Sequence, residues 1–124
     1  MNTREVGKQK EKEAELFLQK QNIKILERNF RCRQGEIDLV GLEKDVLVFV
    51  EVKYRRTNVS GRPEEAVSHN KQEKICRVCD YYRMTHPFFH SKRIRFDVVA
   101  IDENGLRWYQ NAFSYIERNG HKSW

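Results

Sequence analysis

Apolar residues along this chain change period several times, and each change marks an element. Residues 7–21 contain no proline or interior glycine and place Ala14, Phe17 and Leu18 at helical spacing, which predicts an amphipathic first helix. From Ile23 to Asn29 the pattern alternates as a strand, with Ile23, Ile25 and Glu27 to one side, and Gln34-Gly35 marks a turn. Two further strand-like runs, Glu36 to Leu42 and Val46 to Tyr54, are separated only by Glu43, Lys44 and Asp45, and together they predict an antiparallel hairpin. Pro63 suits the first turn of a second helix running to about Thr85, where the segment Thr85 to Ser91 with Pro87 stops it. Ile94 to Ile101 reads as a strand, Asn104-Gly105 as a turn and Leu106 to Phe113 as the last strand, and Arg118 to Trp124 as a loose tail. The order of helix, three strands, helix and two strands predicts an α/β domain, a mixed sheet of about five strands with helices packed on it.

Composition narrows the class. A chain of 124 residues fits one domain, expected over 1–117 with 118–124 as its tail, and 39% apolar content argues against disorder. The longest apolar run, Val46 to Val50, is far too short to cross a bilayer, and the polar, charged start of the chain lacks a signal-peptide pattern. The expectation is a soluble cytoplasmic protein without a membrane partner. A net charge of +6 and a pI near 9.3 favour a polyanion such as nucleic acid, and are equally compatible with a charge that serves only solubility. Cys76 and Cys79 form a C-x-x-C, but no second pair follows, and His69, His86, His90 and His121 lack the spacing of a zinc site. Three residues apart in a helical pattern, the two thiols fall on one face, as packing residues do.

The chemistry is carried by polar residues at positions the periodicity assigns to apolar ones. A hairpin centred between Lys44 and Asp45 sets Asp38 opposite Glu51 and Glu36 opposite Lys53, and the two-residue repeat of a strand sends all four side chains to one face. Leu47 and Phe49 share that face, so it is partly buried, while Val50 and Val52 point to the other. Opposed like charges about 5 Å apart are destabilising. A divalent cation between Asp38 and Glu51 resolves the conflict, since Mg²⁺ needs only one or two protein carboxylates, with water and phosphate completing its shell. Lys53 would stand beside it, placed to hold a water or stabilise charge on a phosphate. In the first helix Glu11 lies on the stripe of Ala14 and Leu18, with Gly7 one turn earlier permitting close approach; it reads either as a carboxylate facing the metal or as a solvated stripe edge. Lys71 sits on the stripe of Val67, Ile75, Val78 and Tyr82, as a second cation for phosphate or a lysine laying its stem along the apolar face. Asp97, between Phe96 and Val98, reads as an additional ligand or as a sheet-edge or helix-capping charge.

Gly35-Glu36-Ile37-Asp38-Leu39-Val40, followed by Val48-Phe49-Val50-Glu51-Val52-Lys53-Tyr54-Arg55, resembles the YraN-like family of small bacterial proteins. The likeness extends to Gly7, Glu11 and Ala14, to Leu26-Glu27-Arg28-Asn29, to Gly61-Arg62-Pro63-Glu64-Glu65-Ala66-Val67, to Lys71, to Arg95-Phe96-Asp97-Val98-Val99 and to Asn111-Ala112-Phe113. It departs at Lys10, where the family commonly has glycine, and at Tyr109-Gln110, where a histidine often stands. That family is regarded as a predicted branch of the restriction-endonuclease-like superfamily with the PD-(D/E)-x-K signature, related to archaeal Holliday junction resolvases. The resemblance implies a restriction-endonuclease-like sheet with one helix before and one after the central hairpin. It also implies Asp38 and Glu51 as metal-binding acids, Lys53 as the motif lysine and Glu11 as an additional acid.

The function expected is a Mg²⁺- or Mn²⁺-dependent endonuclease acting on DNA, with branched or junction DNA suggested by the resolvase relatives. Arg31, Arg33, Arg55, Arg56 and Lys71 would bind flanking phosphates, Tyr54 would stack on an unpaired base or be buried in the sheet, and Glu36 and Asp97 would support the site. The small size favours a homodimer. The alternative is a non-catalytic nucleic-acid-binding module that keeps the fold.

Overall fold

Five consecutive apolar residues, Val46 to Val50, belong to a strand covered on both faces, and the fold provides both covers. In a computed structural model that describes residues 3–55 and 67–118, the elements are α1 (Thr3–Lys20), β1 (Lys24–Cys32), β2 (Gly35–Glu43), β3 (Val46–Tyr54), α2 (His69–Thr85), β4 (Arg93–Asp102) and β5 (Gly105–Phe113), with a short 3₁₀ turn at Pro87–Phe89. The strands form a mixed five-stranded sheet in chain order, so β3 is central. All neighbours are antiparallel except β3 and β4, which run parallel because α2 carries the chain back across the sheet.

Side chains alternate along each strand and so build two cores. On one face Val40, Leu47, Phe49, Phe96 and Val98 pack with Ile75, Val78 and Tyr82 of α2. On the other Leu39, Val48, Val50, Val99 and Ile101 pack with Ala14 and Leu18 of α1. Cys76 and Cys79 are fully buried in the α2-side core, and burial pushes both thiols up, Cys79 to about 12, so they are unreactive packing groups as their spacing predicts. No helix among the described residues is long and apolar enough to cross a membrane.

Several boundaries differ from the sequence expectation. Helix α1 starts a turn earlier, at Thr3, since nothing before Gly7 breaks it. A continuous helix from Pro63 is not formed: Val67 and Ser68 are non-helical, and Ser68, in an extended conformation, caps α2 by accepting a hydrogen bond from Lys71 N–H (3.2 Å). Pro63 and Arg56 lie outside the described residues, as does the expected tail from residue 119 onward. Among the described residues the close approach anticipated at Gly7 is absent, because a Cβ built there would meet none of them within 4 Å. The crowded glycine is Gly41 of β2, where a Cβ would stand 2.6 Å from Ile23 Cγ2 and 3.3 Å from Lys24 O.

Candidate active site

The β2–β3 ladder has the register that the sequence predicts, from Glu43 opposite Val46 to Leu39 opposite Val50. Continued by one step it would set Asp38 against Glu51, but the ladder stops there. Asp38 instead turns its carboxylate toward the backbone of β3, where Val52 N–H donates to Oδ2 at 2.7 Å. Alternation also breaks across this residue: Ile37 packs in the α2-side core together with Val40, whereas Leu39 packs on the α1 side. Glu36, Asp38, Glu51 and Lys53 therefore do not share one face, contrary to the simple two-residue repeat.

The cause lies in the neighbouring strand. Asn29 of β1 has a left-handed φ of 52°, which asparagine tolerates better than most residues. On either side of it the faces switch: Arg28 Nε donates to Glu15 Oε2 of α1 (2.9 Å), whereas the Phe30 ring meets Tyr82 of α2 at 5.1 Å. Phe30 pairs with Ile37, and the switch is transmitted to β2.

Asp38 is thereby placed where Glu51 acts on it from one side of the sheet and Glu11 feels its charge from the other. Burial, then the charge and hydrogen bonding of Glu51, push its carboxyl up to about 7, against the opposing pull of the Val52 N–H. On the α1 side, Glu11 is raised by burial and by Asp38, with a hydrogen bond from Asn29 acting the other way. Glu51 is only 5% exposed, and Lys71 Nζ lies 3.1 Å from its Oε2. Burial alone would lower the Lys71 pKa, but Glu51, and beyond it Asp38 and Glu36, outweigh that and hold it above the ordinary lysine value. Val52 packs on the α1 side, so Lys53 shares the α2-side face with Glu51, opposite Ala100 of β4.

Among the described residues no three potential ligands cluster tightly enough to hold a metal, so Glu11 is not gathered with Asp38 and Glu51 into one three-acid set. What fits a divalent cation is the Asp38–Glu51 pair: two carboxylates set close together, Glu51 buried and Asp38 partly so, with Asp38 resisting ionisation until about neutrality. Lys71 supplies the compensating charge, a contact that sequence alone does not decide between phosphate binding and packing. Asn29 is a shaping residue that sequence reasoning missed, although an asparagine within a strand pattern is the signal for a left-handed position.

The remaining candidates fall around this centre or away from it. Exposed Glu36 is paired with Arg31 (3.3 Å), and Arg33 and Arg55 are exposed near the ends of the adjoining strands. Tyr54 is 39% exposed rather than buried in the sheet, with Lys10 Nζ 5.1 Å from its ring centroid. Asp97 belongs elsewhere. It is 1% exposed and accepts from Arg95 (2.9 and 3.0 Å), Trp108 Nε1 (2.9 Å) and Asn111 N–H (2.9 Å), holding the irregular stretch where β5 slips against β4. It is neither a sheet-edge charge nor a helix cap, and its acceptor capacity is taken up within the core.

Comparison with known proteins finds relatives along most of the chain. The chain is 39% identical to a UPF0102 protein of Francisella tularensis subsp. novicida over 117 residues, covering 94% of this chain and 100% of the relative. It is 45% identical to one from Lachnoclostridium phytofermentans over 113 residues, 91% of this chain and 96% of the relative. A third, from Alcanivorax borkumensis, is 38% identical over 112 residues, 86% of this chain and 90% of the relative. Residues 10–101, which span Glu11, the hairpin and Lys71, match the profile of the uncharacterised protein family UPF0102, the YraN-like family, and the chain belongs to it.

Proposed function

We propose that this protein is a metal-dependent endonuclease that hydrolyses phosphodiester bonds in DNA, branched DNA included, using Mg²⁺ or Mn²⁺. The observation that carries the reading is the apposition of Asp38 and buried Glu51, which raises one carboxyl to about 7 and sets two acids against the single ammonium of Lys71. A divalent ion bound there supplies Lewis acidity toward the scissile phosphate and a more acidic water. Asp38 is held in orientation by Val52 N–H, and Glu51 by its place in the central strand. Lys53 projects from the same face as Glu51, where its ammonium orients the attacking water or stabilises charge on the phosphate. Lys71 leaves Glu51 for a phosphate oxygen as substrate enters. Arg31, Arg33 and Arg55 contact flanking phosphates, giving affinity and salt dependence but no sequence readout, and a homodimer presents two such sites to a bent or branched substrate.

A second reading, a nucleic-acid-binding module without turnover, is favoured by one contact: the Lys71–Glu51 pair at 3.1 Å can neutralise the site without any metal. Labelled duplex, flap and four-way-junction DNA incubated with the protein in Mg²⁺ or Mn²⁺ separates the two. The nuclease reading expects cleavage that Asp38→Ala and Lys53→Ala abolish. Binding that persists in EDTA with no cleavage by the wild type, or cleavage untouched by either substitution, refutes it.

A further inference from the structure

Beside Glu11, on the opposite side of the sheet from Glu51 and Lys71, a cleft of about 320 Å³ opens between α1 and the end of β3. Its walls include Val6, Gly7, Lys10 and Glu11 of the helix and Val52 and Tyr54 of the strand. Three features show what would fit. The volume is at the lower end of small-molecule sites, roughly 300–1,000 Å³, which suits a single nucleotide and not a duplex. The walls combine apolar Val6 and Val52 with an aromatic ring that is 39% exposed and has an ammonium 5.1 Å from its centroid; that ammonium, Lys10, is held only by a surface pair with Glu13 at 3.0 Å, weak enough to yield the ring to a base. Among the described residues nothing lies within 4 Å of where a Cβ on Gly7 would stand, so the missing side chain leaves this wall of the cleft open.

We infer that this cleft receives one unpaired nucleotide of the strand being cut, its base stacked on Tyr54 and its phosphate side facing Lys10. The inference rests on the nuclease reading and deepens it. Glu11 lines the cleft and also feels the charge of Asp38, so a nucleotide seated there reaches the site from its Asp38 side, across the sheet from Glu51 and Lys53. A base inside a duplex is stacked on both faces and cannot enter a cleft between a helix and a strand; an unpaired one can, at little cost. The substrate class is therefore DNA with a single-stranded segment at the cut, such as a flap, gap or junction arm, and continuous duplex is disfavoured.

The test uses binding in EDTA, which does not depend on cleavage. The full chain is titrated into a fluorescent thymidine oligonucleotide carrying one 2-aminopurine and, separately, into a duplex of the same length. Wild type should bind the single strand several-fold more tightly and quench the 2-aminopurine. Tyr54→Ala should weaken single-strand binding about tenfold, the scale of one lost base–aromatic stack, with duplex binding little changed. Tyr54→Phe should retain both the preference and the quench. Gly7→Leu, which also favours the helix, should fill the cleft and reproduce the Tyr54→Ala loss without loss of helical content. Equal affinity for single strand and duplex in the wild type, or unchanged quenching in Tyr54→Ala and Gly7→Leu, overturns the inference. Cleavage abolished by Asp38→Ala alongside that outcome would leave the nuclease reading standing without the cleft.

Discussion

Replacing Asp38 by asparagine should make the protein more stable at neutral and alkaline pH while removing its proposed activity. The carboxyl is pushed from an ordinary 3.8 to about 7, first by burial and then by Glu51. Below about pH 4 the group is protonated whether the chain is folded or not, and contributes nothing. Between about 4 and 7 the unfolded chain releases the proton while the folded one retains it, so stability falls as pH rises through that window. Above about 7 the penalty is constant. At roughly 1.4 kcal/mol per pH unit, the separation from 3.8 to about 7 corresponds to about 4 kcal/mol, a large part of the roughly 5–15 kcal/mol typical of a domain.

Asparagine keeps an oxygen that can accept from Val52 N–H, so the variant loses the charge and not the hydrogen bond. Urea unfolding of wild type and Asp38→Asn at pH 4, 6 and 8 in EDTA measures the difference for Asp38 together with the Glu51 and Lys71 charges it is coupled to, while groups remote from the site cancel. The expected gap is near zero at pH 4 and about 2–4 kcal/mol in favour of the variant at pH 8. Saturating Mg²⁺ at pH 8 should then stabilise the wild type, by about 2.7 kcal/mol at a hundredfold excess over Kd, and leave the variant unchanged. A variant less stable than wild type at pH 8, or a gap that stays constant down to pH 4, would refute the electrostatic account of the site.

Other expectations concern the framework around it. Gly41→Ala should cost about 1–3 kcal/mol in urea unfolding, because its methyl would press on Ile23 Cγ2 and the Lys24 carbonyl; a neutral result would mean that β1 yields freely. Asp97→Ala leaves Trp108 Nε1 and Asn111 N–H without their acceptor and Arg95 with Glu43 alone, and should cost about 3–5 kcal/mol, with a shift in Trp108 fluorescence. At pH 8 Cys76 and Cys79 should resist alkylation in the folded protein and label in urea, while partly exposed Cys32 reacts first; rapid native labelling of the pair would contradict their burial.

Most of the fold could be read in the sequence because it rests on short-range regularities. The run Val46 to Val50 announces a central strand and the Glu43-Lys44-Asp45 turn sets the hairpin register, both as found, whereas the last hairpin turns one residue earlier than expected, at Glu103-Asn104, with Gly105 already paired to Asp102. The start of α2 departs from the expected position because proline and serine compete as start signals, and only the backbone shows that Ser68 takes the cap. At the site, Asp38, Glu51 and Lys53 were legible from two-residue spacing together with the family resemblance. Their relative orientation was not, because alternation assumes an unbroken strand. The partner of Lys71 was out of reach for a different reason, since a contact between a helix and a strand across 20 positions of sequence leaves no periodic trace.

The broken alternation is also what makes the site more than a pair of surface acids. Had β2 kept its repeat, Asp38 would sit squarely on the α2 face with Glu51 and have no route to α1. With Asn29 left-handed and the faces switched at Ile37, the carboxylate lies at the seam of the sheet, held by the backbone of β3 and sensed by Glu51 on one side and Glu11 on the other. Three acids from α1, β2 and β3 thus come under one electrostatic influence without forming a tight cage. Such an open arrangement suits a weakly held cation that keeps most of its positions for water and phosphate. It also means that shape matters as much as charge at this site. Asn29→Ala would change no acid yet remove both a residue tolerant of left-handed backbone and the hydrogen bond to Glu11, and with them the placement of Asp38; it should therefore weaken the proposed metal-dependent cleavage even though no proposed ligand has been altered.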